Sequence, residues 1–410
     1  TFNTMKITRF LMVIVMLFSG RVTAEACTAA IISGKATPDG RPLIWKHRDC
    51  SHPQNVIRFF NDGKYAFIGL VNAEDEDGEA VWAGYNSAGF VIINTASYNL
   101  TAEDDTVKLK DREGILMRQA LQVCATVDDF NRFLENAAKP LGVESNFGVI
   151  DAQGGAAWFE TGQYTFTMLD VNDPAVAPGG YLVHTNYSFT GDPDRGAGHI
   201  RFNTAHHLFL QAWQQGNFTV RWILQEASRS LWHSLTGVDL EQQEFPAGVQ
   251  KFVHFTDFIP RYSSTSSVVI QGVLPGEEVS LTTMWAIVGF PLTSVTMPLW
   301  LAAGDQQPSL VLPGKKGNAP LCEKSLLLKE RLFPVKMGYG SNYMNVSALL
   351  NRNGSGILQQ LKPLEDEIFD RSFARLDAWR KERIRTREIS ALYGELNELI
   401  TERYQRLFGL

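Results

Sequence analysis

The chain has 410 residues and a formal net charge of −6, with 44% hydrophobic and 20% charged residues. That balance excludes an intrinsically disordered chain, and the acidic excess argues against nucleic acid and anionic membrane as partners. The length exceeds one average domain, but one large α/β core with a helical appendage accounts for it.

In chain order, the first feature is a leader. Met5 reads as the initiator, followed by Lys6 and Arg9, an apolar run from Phe10 to Phe18, and small residues Ala24 and Ala26. These are the basic, apolar and small-residue parts of an export signal, and the apolar run is too short to span a bilayer. Residues 1–26 are therefore expected to be removed, leaving a secreted or periplasmic protein that begins at Cys27 and carries no membrane anchor. The apolar stretch 284–301 is interrupted by Pro291 and Pro298, which favours short strands over a membrane helix.

After Cys27 come a β-prone run, Thr28 to Ser33, the turn cluster KATPDGRP, and a second extended run, Leu43 to Arg48. Pro38-Asp39-Gly40 supplies a fixed φ, a turn-favouring carboxylate and a permissive φ, which predicts a hairpin centred near Pro38 and Asp39. Reflection about that centre sets position 50 opposite position 27 and brings Arg48, Asp49 and Cys50 beside the new terminus. Ala80 to Leu100 reads as two strands around a turn at Asn86 to Gly89, with Asn86 a turn residue. Arg112 to Ala138 reads as helical, with Thr126 an N-cap and Asp129 favourable in a first turn.

A hairpin is predicted around Asp151 to Gly155, then a strand in GGYLVHTNYS, helices over His199 to Trp213 and Val220 to Leu235, and extended runs between Val268 and Trp300. The region 351–410 is charged, and Ile389, Leu392, Tyr393, Leu396, Leu399, Ile400, Tyr404 and Leu407 recur at spacings of three and four. This is an amphipathic helix whose apolar stripe fits either the chain's own core or a second copy in a homo-oligomer. Hairpins dominate and Gly-rich phosphate loops are absent, so an α+β layered fold is expected rather than a doubly wound parallel sheet.

The four cysteines, at 27, 50, 124 and 322, follow no metal-ligand spacing, and the eight histidines, His206 and His207 included, fit no zinc site. No metal or organic cofactor is expected. Export permits disulfides, and if Cys27 stays a thiol, at most one bridge forms among the other three.

A thiol is a strong nucleophile only as thiolate, with an unperturbed pKa of about 8.5. An α-amine titrates at roughly 7.7 to 8, so a terminal cysteine carries nucleophile and base on one residue. Three helpers are needed: a carboxylate to orient the amine, a cation to favour thiolate, and donors for the tetrahedral oxyanion. The hairpin supplies the first two as Asp49 and Arg48, or Lys46. His47 is assigned no role, because strand alternation is read as turning it away from the neighbours of Asp49.

The order CTAAIISGKATPDGRPLIWKHRD resembles the start of mature N-terminal nucleophile (Ntn) hydrolases that cleave linear amides: choloylglycine hydrolases, penicillin V acylases, acyl-coenzyme A:penicillin acyltransferases and a secreted dipeptidase branch. The resemblance continues through GYNSAGFVIINTA, NFGVIDAQGGAAWFE, LVHTNYS, HIRFNTAHHL and SSTSSVVIQGVLP, covering most of residues 27 to 300. It implies a four-layer αββα sandwich over 27–350, with the helical extension 351–410 behind it. Carried across, Cys27 would be nucleophile and base, Asp49 would hold the amine, and Asn186 would contact the amine or the oxyanion. Arg201 would close the polar network, Asn94 would be a further oxyanion donor, and Lys46 or Arg48 would supply the charge.

The implied reaction is acyl transfer through a thioester, on a small amide or short peptide: a conjugated bile acid, an acyl-lactam, a dipeptide or an N-acyl amino acid. Two rivals stand beside it. One is an acyltransferase using the same acyl-enzyme; the other is a non-catalytic, lipid-anchored binding protein in which an acylated Cys27 amine cannot act as base.

Overall fold

The computed structural model of the chain describes residues 26–101 and 111–410, so the expected leader, apart from Ala26, lies outside the described residues. The first two extended runs pair as β1 (Thr28–Ile32) and β2 (Leu43–Asp49), antiparallel, with Thr28 opposite His47 and Ile32 opposite Leu43. The hairpin is centred one residue earlier than expected. Thr37 closes the loop, its hydroxyl bonding to the carbonyls of Gly34 and Arg41 at 3.1 and 2.8 Å. Continuing that register places Cys27 opposite Arg48, not Cys50, and the Ala26 N–H donates to the Asp49 carbonyl at 3.2 Å. Because the partner shifts by two residues, every side chain keeps its face, and Asp49 still arrives beside position 27.

Strands β3 (Asn55–Phe60), β4 (Phe67–Asn72), β5 (Ala83–Asn86), β6 (Val91–Ala96), β7 (Ser145–Ile150), β8 (Ala156–Thr161) and β9 (Phe166–Asp170) form a seven-stranded sheet in sequence order. The second sheet has six strands in the order β10 (Tyr181–His184), β1, β2, β14 (Ser264–Gln271), β15 (Thr283–Val288) and β16 (Met297–Leu299). Two ribbons complete the strands, β11 (Trp232–His233) with β12 (Val238–Asp239) and β13 (Phe252–His254) with β17 (Tyr343–Asn345).

The two large sheets stack face to face. Lys46 and Arg48, alternate residues of β2, reach residues of the other sheet, whereas Trp45 points to the outer side and stacks on Phe209 of α3 (His199–Gln214). On the far side, α1 (Glu113–Val123) and α2 (Val127–Asn136) cover the seven-stranded sheet, with Phe130 edge-on to Phe147 and Phe159. α4 (Val220–Trp222) and α6 (Val346–Leu349) are short, α5 (Pro320–Leu332) lies between them, and the chain ends with α7 (Ile357–Lys381) and α8 (Thr386–Phe408). α7 packs Phe369 and Phe373 on Trp285 of the six-stranded sheet, and α8 stacks Tyr393 on Trp300. The layers run α, β, β, α, the expected class and order.

Two predicted helices are shorter than expected. The helix read over 112–138 is broken at Cys124 to Thr126. There Asn86 donates to the carbonyls of Leu121 and Cys124, both at 2.8 Å, satisfying the end of α1, and Thr126 and Asp129 form a reciprocal capping box that starts α2. The helix read over Val220–Leu235 stops at Ala227 after a π turn. Just beyond, the buried Arg229 side chain bonds to the carbonyls of Pro291 and Ser294 and to Glu365 of α7, so tertiary contacts override local propensity.

The tail's stripe packs on the chain's own core. Ile389, Leu392, Tyr393, Leu396, Leu399, Ile400 and Tyr404 are all buried, Leu407 at the end of the stripe is only half-buried, and the Tyr404 hydroxyl donates to the Thr293 carbonyl at 3.1 Å.

Candidate active site

Cys27 stands at the entrance to β1 and is 3% exposed. Beyond the pairing of Ala29 with His184, the β1–β10 register brings Asn186 opposite Cys27. Arg201, in the first turn of α3, locks this corner: Nη1 donates to the Cys27 carbonyl at 2.7 Å and to Thr28 Oγ1 at 2.8 Å, and Nη2 donates to Asn186 Oδ1 at 2.7 Å. Asn186 Nδ2 donates to the Ala96 carbonyl at 2.9 Å, joining the end of β6 to the same corner. Gly198 caps α3 at φ +85, and a Cβ there would overlap the Arg201 guanidinium, so the approach requires glycine. Burial pulls Arg201 down to about 9, Arg261 pushes the same way, and Asp49 and Cys27 oppose them; the guanidinium remains a cation at neutral pH.

Asp49 lies on the outer face of β2 in a different network. Arg261 Nη2 donates to Asp49 Oδ2 at 2.7 Å and to the Ala26 carbonyl at 2.9 Å, while the Ser264 hydroxyl donates to Asp49 Oδ1 at 2.5 Å. Ser264 reaches that position through a bulge: β14 pairs Ser264 with Asp49 but Ser266 with Arg48, leaving Thr265 as the extra residue. His47 lies two residues before Asp49 and therefore on its face, contrary to the expectation that alternation turns it away. Its Nε2 is 3.0 Å from Ser264 Oγ. Burial lowers His47 to about 4, against the pull of Asp49 and with the push of Arg261 and Arg201, so the ring is neutral near pH 7. Since the serine proton is committed to Asp49, the hydrogen bond assigns the imidazole proton to Nε2.

The candidate cations face the interior between the sheets. In an antiparallel pair opposite residues share a face, so the Cys27 side chain shares that of Arg48. Arg48 Nη1 donates to Asn55 and Asn72, both at 2.8 Å, and its guanidinium sits 4.5 Å from the Trp82 ring centre. Lys46 Nζ donates to the Trp82 carbonyl at 2.8 Å and to Asn94 Oδ1 at 2.5 Å, and Asn94 in turn donates to Ser145 Oγ at 3.1 Å. Both cations are 1% exposed.

The fold thus gathers Cys27, Asn186 and Arg201 into one bonded cluster, and Asp49 joins it through Arg261 at the 26–27 peptide. Arg48 and Asn94 lie in the neighbouring interior layer. Sequence reading missed Arg261 and Ser264 and set His47 aside. The run Ser263-Ser264-Thr265-Ser266-Ser267, five consecutive hydroxyl residues leading into an apolar strand, was the signal available for Ser264.

None of the four cysteines is disulfide-bonded, and burial pushes the Cys124 and Cys322 thiols up to about 12, which marks them as inert. Among the described residues no group of three or more His, Cys, Asp or Glu side chains is placed to hold a metal ion. Residues that follow Asn186 line two cavities. One, of about 330 Å³, is apolar and lined by Phe189, Phe202, Leu210 and Trp213; the other, of about 580 Å³, is lined by Asn99, Thr165, Thr190, Asp192 and Arg195.

No family model and no curated protein matches the chain. Solved structures similar to it include a Caenorhabditis elegans N-acylethanolamine-hydrolyzing acid amidase ortholog, at 16% identity over 61% of this chain and 93% of that one, with a TM-score of 0.40. A variant of the conjugated bile acid hydrolase from Clostridium perfringens follows at 13% identity, covering 67% and 92%, with a TM-score of 0.38. Penicillin V acylase from Agrobacterium tumefaciens is similar at 12% identity, covering 67% and 86%, with a TM-score of 0.34.

Proposed function

We propose that this chain is an exported cysteine Ntn hydrolase that cleaves a linear amide, with Cys27 made N-terminal by removal of residues 1–26. The observation that carries the reading is the treatment of the 26–27 peptide. Arg261 joins its carbonyl to the Asp49 carboxylate, and Arg201 joins the next carbonyl to Asn186. Cleavage at that bond would release an amine on Cys27 within a polar frame already built around it.

In this reading the Cys27 amine takes the thiol proton, sulfur attacks the amide carbon, and the C–N bond breaks as the amine leaves with that proton. Water then adds to the thioester carbon, the C–S bond breaks, and acid and thiol are regenerated. Asp49, held by Arg261 and Ser264, orients the amine. Asn186 is the candidate oxyanion contact, backed by Asn94 in the interior layer. Arg48 and Lys46 supply positive charge on the face shared with Cys27. If an amine replaces water in the second half-reaction, the same acyl-enzyme performs acyl transfer.

The test combines the mass of exported protein with turnover. A chain starting at unmodified Cys27 that releases amine from N-acyl amides, with Cys27→Ala inactive, supports the proposal. Extra residues ahead of position 27, or added lipid mass on an active protein, would sink it.

A further inference from the structure

Asn186 sits on an arch between the end of β10 and the turn at Phe189 and Thr190. Both feet of that arch stand on one carboxylate, Glu160 of β8. Glu160 Oε1 accepts from His184 Nε2 at 2.9 Å and from the Phe189 N–H at 2.6 Å; Oε2 accepts from the Thr190 N–H at 2.8 Å and its hydroxyl at 2.5 Å. Neither side chain of the His184–Glu160 pair is exposed. The imidazole is packed between Trp158 and Phe189, with ring centres 4.5 and 4.4 Å away.

Burial lowers His184 despite the pull of Glu160, which keeps the ring neutral. Burial works to raise Glu160, but hydrogen bonds from His184, Thr190 and Phe189 outweigh it and hold the carboxyl below its usual range. The brace is thus an anion in the protein interior. For stability alone this is a poor choice, because a buried carboxylate is costly and apolar packing of similar volume serves at least as well. What four charge-assisted bonds provide is fixed geometry for the residues they hold.

We infer that Glu160 is a positioning residue for the reaction proposed at Cys27, acting through the arch that carries Asn186; the inference rests on that proposed function. Between those feet Asn186 pairs through its backbone with Ala197 and through its side chain with Arg201 and Ala96, so the feet help to set where its amide stands relative to Cys27. In Glu160→Gln one acceptor oxygen must meet donors that now engage two, and an NH2 group faces N–H groups.

The experiment measures kcat and KM of wild type, Glu160→Gln and Thr190→Val on a fluorogenic N-acyl amide, with thermal melts. Displacement of a positioned group by about 1 Å is worth roughly a hundredfold, so Glu160→Gln is expected to lower kcat by about ten- to a hundredfold with KM little changed. Thr190→Val, which removes one bond and no charge, is expected to lower kcat by about two- to fivefold. A folded Glu160→Gln with wild-type kcat overturns the inference. If Glu160→Gln does not fold, unchanged kcat in Thr190→Val overturns it equally. A wild type that releases no amine from any amide instead overturns the function on which the inference rests.

Discussion

One nitrogen of Arg261 ties Asp49 to the bond that precedes Cys27: Nη2 lies 2.7 Å from Asp49 Oδ2 and 2.9 Å from the Ala26 carbonyl oxygen. Arg261→Leu removes the cationic partner of a carboxylate that is 1% exposed. Activity on an N-acyl amide is expected to fall by about 10²- to 10³-fold, the scale for losing one preorganised polar contact. Arg261→Lys is expected to recover only part of that, because an ammonium cannot reproduce a planar fork. Steady-state kinetics on protein starting at Cys27, beside thermal melts, checks both; wild-type kinetics in Arg261→Leu would remove this residue from the site.

His47 makes a pH prediction with a definite sign. Its folded pKa, about 4, lies below an unfolded value near 6.5, because burial outweighs the pull of Asp49 while Arg261 and Arg201 add repulsion. The unfolded chain therefore binds the proton first as pH falls. Stability is complete above about 6.5 and is lost progressively down to about 4, by a few kcal/mol in all. His47→Gln keeps a donor toward Ser264 and cannot titrate. Denaturant melts from pH 7 to 4 are expected to fall less steeply for this variant; parallel curves would refute the assignment.

Gly198 and Gly216 offer a matched pair. Both have positive φ, +85 and +62, but a Cβ at 198 meets Arg201 and Thr185 whereas one at 216 meets nothing within 4 Å. Gly216→Ala is expected to cost about 1–2 kcal/mol of backbone strain with normal turnover. Gly198→Ala should cost more and also lower kcat, because Arg201 must move. Equal effects on kcat in the two variants would mean that Arg201 does not set the geometry at Cys27.

The tail is pinned by Arg229 and Glu365, whose side chains are 2% and 0% exposed. Glu365→Gln leaves an arginine buried without its charge partner and is expected to destabilise by about 3–5 kcal/mol. Replacing both with Met and Leu is expected to recover most of that, since the lone charge is what costs. Chemical denaturation of Arg229→Met, Glu365→Leu and the double variant, beside Glu365→Gln, provides the check, and additive losses from the two matching single variants would contradict it.

Much of the local structure is legible from residue order. Turn chemistry at Pro38 to Gly40, Asn86 to Gly89 and Asp151 to Gly155 places hairpins, Thr126 with Asp129 places a helix start, and the spacing of Ile389 through Tyr404 places the last helix. These features are read locally because the forces that make them act within a few residues. The nearness of Asp49 to position 27 belongs here too, since one hairpin of fixed parity delivers it.

What residue order could not supply is which partners reach that carboxylate. Arg261 stands 212 residues beyond Asp49, and it arrives only because β14 pairs with β2 and bulges at Thr265. Such pairing is chosen by the burial of whole sheets, not by a local pattern. Nor does residue order say which face of β2 looks inward: every residue from Leu43 to Asp49 is buried, so no contrast between a wet and a dry side marks the faces. Only the stacking of one sheet on another, with helices outside, sends the two cations inward and the histidine and aspartate outward.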